Sequence, residues 1–140
     1  MMTIDMESFE DKYHSAKMYH YRANQFLEKK SSASVVFNIA SMALENYLIA
    51  LCELYGVTPG NHNFECLMDA VETVVTISPE MEKEIRSLDL LYGICSLENF
   101  HIGIPEEQDA NRVLMMCRYV ETVFDSERVD LVRSGVLSKA

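Results

Sequence analysis

Apolar residues recur at steps of three and four along almost the whole chain, and alternation over strand-length windows is scarce. Met6, Phe9, Tyr13, Ala16, His20, Ala23 and Leu27 share one face and predict a first helix from Asp5 to about Lys29. Serines at 31–34 are suited to cap a second helix that runs to Tyr55, with Gly56 as its left-handed stop. The polar residues of this second helix reduce to Asn38, Ser41, Glu45 and Glu53, which read as one narrow polar face. A helix so apolar around its girth belongs at the centre of a bundle. After a Thr58-Pro59-Gly60 turn, Phe64, Leu67, Met68, Val71, Val74 and Val75 mark a third helix. Ser78-Pro79-Glu80 opens a fourth, with Met81, Ile85, Leu88, Tyr92 and Cys95 facing inward and an expected end near Phe100. A fifth begins around Pro105–Glu107 and buries Ala110, Val113, Leu114, Cys117, Val120 and Phe124. Residues 126–140 read as a short terminal helix or a tail. The expectation is all-α: a single domain over 1–140, core about 6–125, folded as an antiparallel up-and-down bundle of four to five helices.

With 140 residues, of which 49% are hydrophobic, the chain can bury a core without disulfides or metal. Cys52, Cys66, Cys95 and Cys117 lie far apart among apolar helical residues, which predicts buried free thiols rather than a zinc site. His14 and His20 are six apart and do not share a face, and His62–Cys66 lacks further ligands, so no metal or cofactor is expected. The uninterrupted apolar run a membrane span needs is missing, and the acidic first ten residues do not resemble a secretory signal. Both point to the cytoplasm and away from a membrane. The net charge of −10 opposes general nucleic-acid binding, which draws its affinity from a basic footprint.

The stretch Ala43-Leu44-Glu45-Asn46-Tyr47-Leu48-Ile49-Ala50-Leu51, then Gly56-Val57-Thr58-Pro59, then His62-Asn63-Phe64-Glu65-Cys66-Leu67, resembles the HEPN superfamily. These are small helical bundles, many encoded beside minimal nucleotidyltransferases. The likeness runs roughly from Phe9 to Phe124. It implies a HEPN-like homodimer acting with a nucleotidyltransferase or another nucleotide-handling partner, and it makes Glu45, Asn46, Gly56, His62 and Asn63 a structural motif. Two departures stand out. Ile49 falls where many members carry a lysine. Active members of the family, which include toxin ribonucleases of toxin–antitoxin pairs, carry an Arg four to six residues before a His near the end of the fourth helix. Here the histidine is His101, and Ile94, Cys95 and Ser96 stand where the arginine would be.

Glu98, Asn99, His101 and Arg112 are therefore the candidates for a nucleotide or RNA cleft. A histidine ordinarily has its pKa near neutrality, which suits His101 to an acid/base role, and Asn99 can donate to a phosphate. Without the arginine, nothing local stabilises charge developing on phosphorus. The plain reading of His101 is an exposed histidine near a helix C-terminus. Asn63 or Asn61 reads as a cap of the third helix, and His62 as a loop tie. Together these favour a non-catalytic binding or oligomerisation module. The alternatives are a metal-independent endoribonuclease using His101, and a helical partner protein outside the HEPN superfamily.

Overall fold

A computed structural model of the chain describes residues 4–92 and 104–135. The described residues form helices and connecting turns, with no strand among them. In order these are α1 (Met6–Glu28), α2 (Ala33–Leu54), α3 (Phe64–Val71), α4 (Pro79–Tyr92), α5 (Glu107–Val123) and α6 (Ser126–Arg133). The fold is all-helical, as the periodicity predicts, with six helices among the described residues where four to five were expected; Ser126–Arg133 of the terminal segment is the sixth.

Each boundary has a local cause. The side chains of Asp5, Ser32, Asn63 and Asp125 accept hydrogen bonds from first-turn amides of α1, α2, α3 and α6. Glu106 and Asp109 form a reciprocal capping box on α5. At the end of α2, Gly56 takes φ 72°, and the amide of Val57 reaches back five residues to the Cys52 carbonyl at 2.9 Å. Lys30 plays the same part after α1 at φ 57°, with the Ser31 amide on the Phe26 carbonyl. The third helix stops sooner than its apolar pattern suggests. Val74 and Val75 follow it in turns, at the head of a Val-Val-Thr-Ile run whose β-branched side chains disfavour another helical turn.

Helix α2 is the organising element, packing on α1, α3, α5 and α6. By length and composition it is apolar enough to cross a bilayer, yet 67% of its most apolar window is buried against neighbouring helices. Tyr47, Leu44, Leu48, Leu51 and Leu54 are fully covered, and they meet Phe9 of α1, Leu67 and Met68 of α3, Ile85 of α4 and Leu114 of α5 in one core. Phe9, Tyr13, Tyr47 and Phe124 continue it as an aromatic cluster, with Tyr13 and Phe124 centroids 4.7 Å apart.

The polar residues of α2 do not form the single face their spacing suggested. Asn38 is exposed, Ser41 is buried, and Glu45 and Glu53 are half-buried. The exposed positions of α2 are Val35 (39%), Asn38 and Met42 (43%), with Ile39 half-buried beside them.

Candidate functional site

Of Glu45, Asn46, Gly56, His62 and Asn63, the two asparagines and the glycine serve the local backbone. Asn63 accepts from the Cys66 amide at 2.8 Å, as a helix cap. Asn61 holds the His62 amide at 2.7 Å, so the loop is tied by Asn61 rather than by the half-exposed His62 ring. That ring lies 3.9 Å from Glu45, too long for a hydrogen bond. Asn46 donates to the Met42 carbonyl at 2.8 Å within its own helix. A helix start bearing Asn and His has free amides that suit an anion. Here an internal carboxylate occupies them: Asp89 of α4 accepts from the Phe64 amide at 3.2 Å and the Glu65 amide at 2.9 Å. Nothing in the order of residues announced that role for Asp89, because 24 positions separate it from Glu65.

Of the expected cleft, Glu98, Asn99 and His101 lie outside the described residues, as do Cys95 and the expected helix end at Phe100. Arg112 is described on α5. Its guanidinium donates to Glu84 of α4 at 2.7 and 3.0 Å, so this cation clamps two helices.

Arg86 shows the same commitment more strongly. It reaches Glu65, Asp69 and Glu72 across the α3–α4 seam at 2.7–2.8 Å, and Glu82 one turn earlier on α4 at 2.8 Å. Burial disfavours its charge, but the four carboxylates outweigh that and raise its pKa. One cation among four acids is a structural hub, and its surroundings are anionic. The Glu82–Arg86 step of four and the Glu65–Asp69–Glu72 ladder on α3 are legible in the sequence. Their meeting at one side chain is a tertiary fact.

A second polar cluster lies inside the α1–α2–α5 seam. His20 Nδ1 is 2.9 Å from the Tyr47 hydroxyl and 3.9 Å from Glu121, which accepts from Lys17 at 2.7 Å. Burial lowers the His20 pKa, outweighing the opposite pull of Glu121 and aided by Arg118 and Lys17. Burial likewise raises that of Tyr47. His20 is thus the core histidine its place in the apolar stripe suggested, though its Nε2 has no partner among the described residues. Cys52 and Cys117 are buried free thiols, Cys66 is half-buried, and burial pushes the Cys52 pKa up to about 12. No group of metal-ligating side chains converges among the described residues.

Among the described residues, large apolar side chains are exposed on the α1–α2 hairpin, and also at Ile104, at Met115 of α5 and at Leu131 of α6. Val35, Ile39, Met42, Asn46 and Glu53 follow one another on α2 at steps of four, three, four and seven; Val35 and Met42 are exposed, the other three are half-buried, and Ile49 in the same row is buried. Ser8, Lys12, Ser15, Tyr19, Arg22 and Phe26 form the matching stripe on α1. The Ser8 hydroxyl donates to Glu53 at 2.6 Å and joins the stripes at one end, while the short 29–32 connection joins them at the other. Met18, 46% exposed, and Arg22 flank a cavity of about 220 Å³ that also touches His14, Ser15 and Tyr19. Tyr21, 67% exposed, lies on the next face of the helix. Compared with protein-family models, curated proteins and solved structures, the chain matches none of them.

Proposed function

We propose that this protein is a non-catalytic binding and oligomerisation module, HEPN-like in its resemblance, that acts with a nucleotidyltransferase-type or other nucleotide-handling protein. The observation that carries the reading is the α1–α2 face. Met18, Val35 and Met42 stand out of a bundle that already buries a full core without them, while Ile39 beside them packs against that core. Adaptable methionines and aliphatic residues ringed by polar groups suit a helical partner surface. The fate of the cations argues the same way. Arg86 and Arg112 are spent on carboxylates, which leaves the anionic α3–α4 surface unsuited to RNA.

The test is one preparation with two assays. Purified protein incubated with RNA without added metal is expected to leave the RNA intact, and the same protein is expected to co-elute with the product of its neighbouring reading frame. Met42→Glu should abolish the co-elution while circular dichroism stays helical. RNA cleavage by the wild type that disappears in His101→Ala would replace this reading with the endoribonuclease.

A further inference from the structure

A cavity of about 620 Å³ opens at the 29–32 end of the bundle, where the last turn of α1 meets the first turns of α2 and α5. Packing explains it. Helices α1 and α5 both lie on α2 and touch each other little, so the space between their ends stays open over Val36. Its floor is apolar: half-buried Leu27 of α1, with buried Val36 of α2 and Ala110 of α5. Its rim carries both signs of charge, with Lys30 and the Asn111 amide as donors and Glu28 and Glu107 as acceptors. None of these four side chains makes a hydrogen bond or ion pair among the described residues. Elsewhere Lys17, Arg86, Arg112 and Arg133 are each held by a carboxylate. Opposite charges that share a space without closing on each other keep their hydrogen-bonding capacity for a third molecule.

Lys30 adds a separate sign. It follows α1 in the left-handed conformation, at φ 57°, where a side chain strains the backbone. Gly56 after α2 and Gly135 after α6 take the same region at φ 72° and 84°, and glycine does so freely. A lysine in the place of a glycine costs stability and puts a cation on the rim of the cavity.

We propose that this cavity binds a free amino acid with an apolar side chain. The carboxylate takes Lys30 and the Asn111 amide, the ammonium takes Glu28 and Glu107, and the side chain covers Leu27, Val36 and Ala110. The volume lies within the range of about 300–1,000 Å³ usual for small-molecule sites, and an apolar floor with a few polar groups is their usual lining. Simple ions fit less well. An anion seated on the floor meets Glu28 and Glu107, and a metal ion finds no third ligand among the described residues.

Isothermal titration of the full chain with phenylalanine, leucine and glycine tests this. Phenylalanine or leucine should bind with Kd on the order of 1 mM or below, and glycine much more weakly. Phenylalanine amide lacks the carboxylate and N-acetylphenylalanine lacks the ammonium, so each should bind roughly tenfold or more weakly. Lys30→Gly should weaken phenylalanine binding by a similar factor while Tm holds or rises, because glycine relieves the backbone; the lost contact is thereby separated from a lost fold. Glu28→Gln with Glu107→Gln should weaken phenylalanine but not N-acetylphenylalanine. Met42→Glu, outside the cavity, should leave the titration unchanged, so this site and the partner surface stand or fall separately. Absence of heat with both apolar amino acids at about 10 mM would overturn the proposal. So would equal binding of phenylalanine and its two blocked forms, or binding indifferent to Lys30→Gly.

Discussion

Replacing Arg86 with methionine keeps most of the side-chain volume and removes the one cation that Glu65, Asp69, Glu72 and Glu82 share. The side chain of Arg86 is only 19% exposed, whereas its partners range from 31% to 70%. Each pair taken alone is close to a surface ion pair, contributing about 0.2–1 kcal/mol. Four would sum to about 1–4 kcal/mol, and the exposed Asp69 and Glu65 belong at the low end. Mutual repulsion of four carboxylates left together adds to the cost, so the loss expected is about 2–3 kcal/mol. For a domain of this size that corresponds to a fall of roughly 8–10 °C in Tm. Urea unfolding followed by circular dichroism at pH 7 measures it. The signature is in the salt dependence. Raising salt from about 0.05 to 0.5 M should weaken the attraction in the wild type and relieve repulsion in the variant, so the gap narrows. A loss below about 0.5 kcal/mol, or a gap unchanged by salt, would refute the account of Arg86 as an electrostatic hub.

Three further expectations follow from single contacts. His20 has a folded-state pKa below its ordinary value of 6.5, so the unfolded chain binds the extra proton first. Stability is then full above pH 6.5 and falls as pH drops below it, and His20→Phe should flatten that part of a pH series of urea midpoints. Asn63→Ala should cost about 1 kcal/mol, and Asp89→Asn a similar amount by turning an amide group toward the Phe64 and Glu65 amides. Each is read by the same unfolding assay, and loss of protection at the first turn of α3 in hydrogen exchange would locate it. Among Cys52, Cys66 and Cys117, iodoacetamide at pH 8 should modify Cys66 first. Burial raises the pKa of the other two, and mass spectrometry of timed samples resolves the order.

Periodicity carried the architecture because the helices bury faces at regular spacing. Ser32, Gly56, Asn63 and Pro79 are boundary residues whose chemistry is local, and their roles were readable in sequence. The end of α3 was not, because Val74 and Val75 continue the apolar pattern past the point where the backbone leaves the helix. The polar residues of α2 misled for a different reason. Spacing places Asn38, Ser41 and Glu45 near one another on the helix, but which sector faces solvent depends on where α1 and α3 pack. That placement left Val35 and Met42 exposed beside Asn38 and buried Ser41. Asp89 and Arg86 are the clearest cases of information absent from local sequence. Their partners come from α3, so their roles exist only once the α3–α4 pair has formed. Of the candidate cleft, Glu98, Asn99 and His101 lie outside the described residues, and Arg112 is held by Glu84.

The net charge of −10 describes no particular surface of this molecule. Acids crowd α3 and α4, where Arg86 and Arg112 are already bound. Lys29 and Lys30 lie at the 29–32 end of the hairpin, and neither they nor Arg22 make an ion pair among the described residues. A polyanion would be drawn to that end in spite of the net charge, because attraction at short range follows the local charges, and raising salt should weaken it.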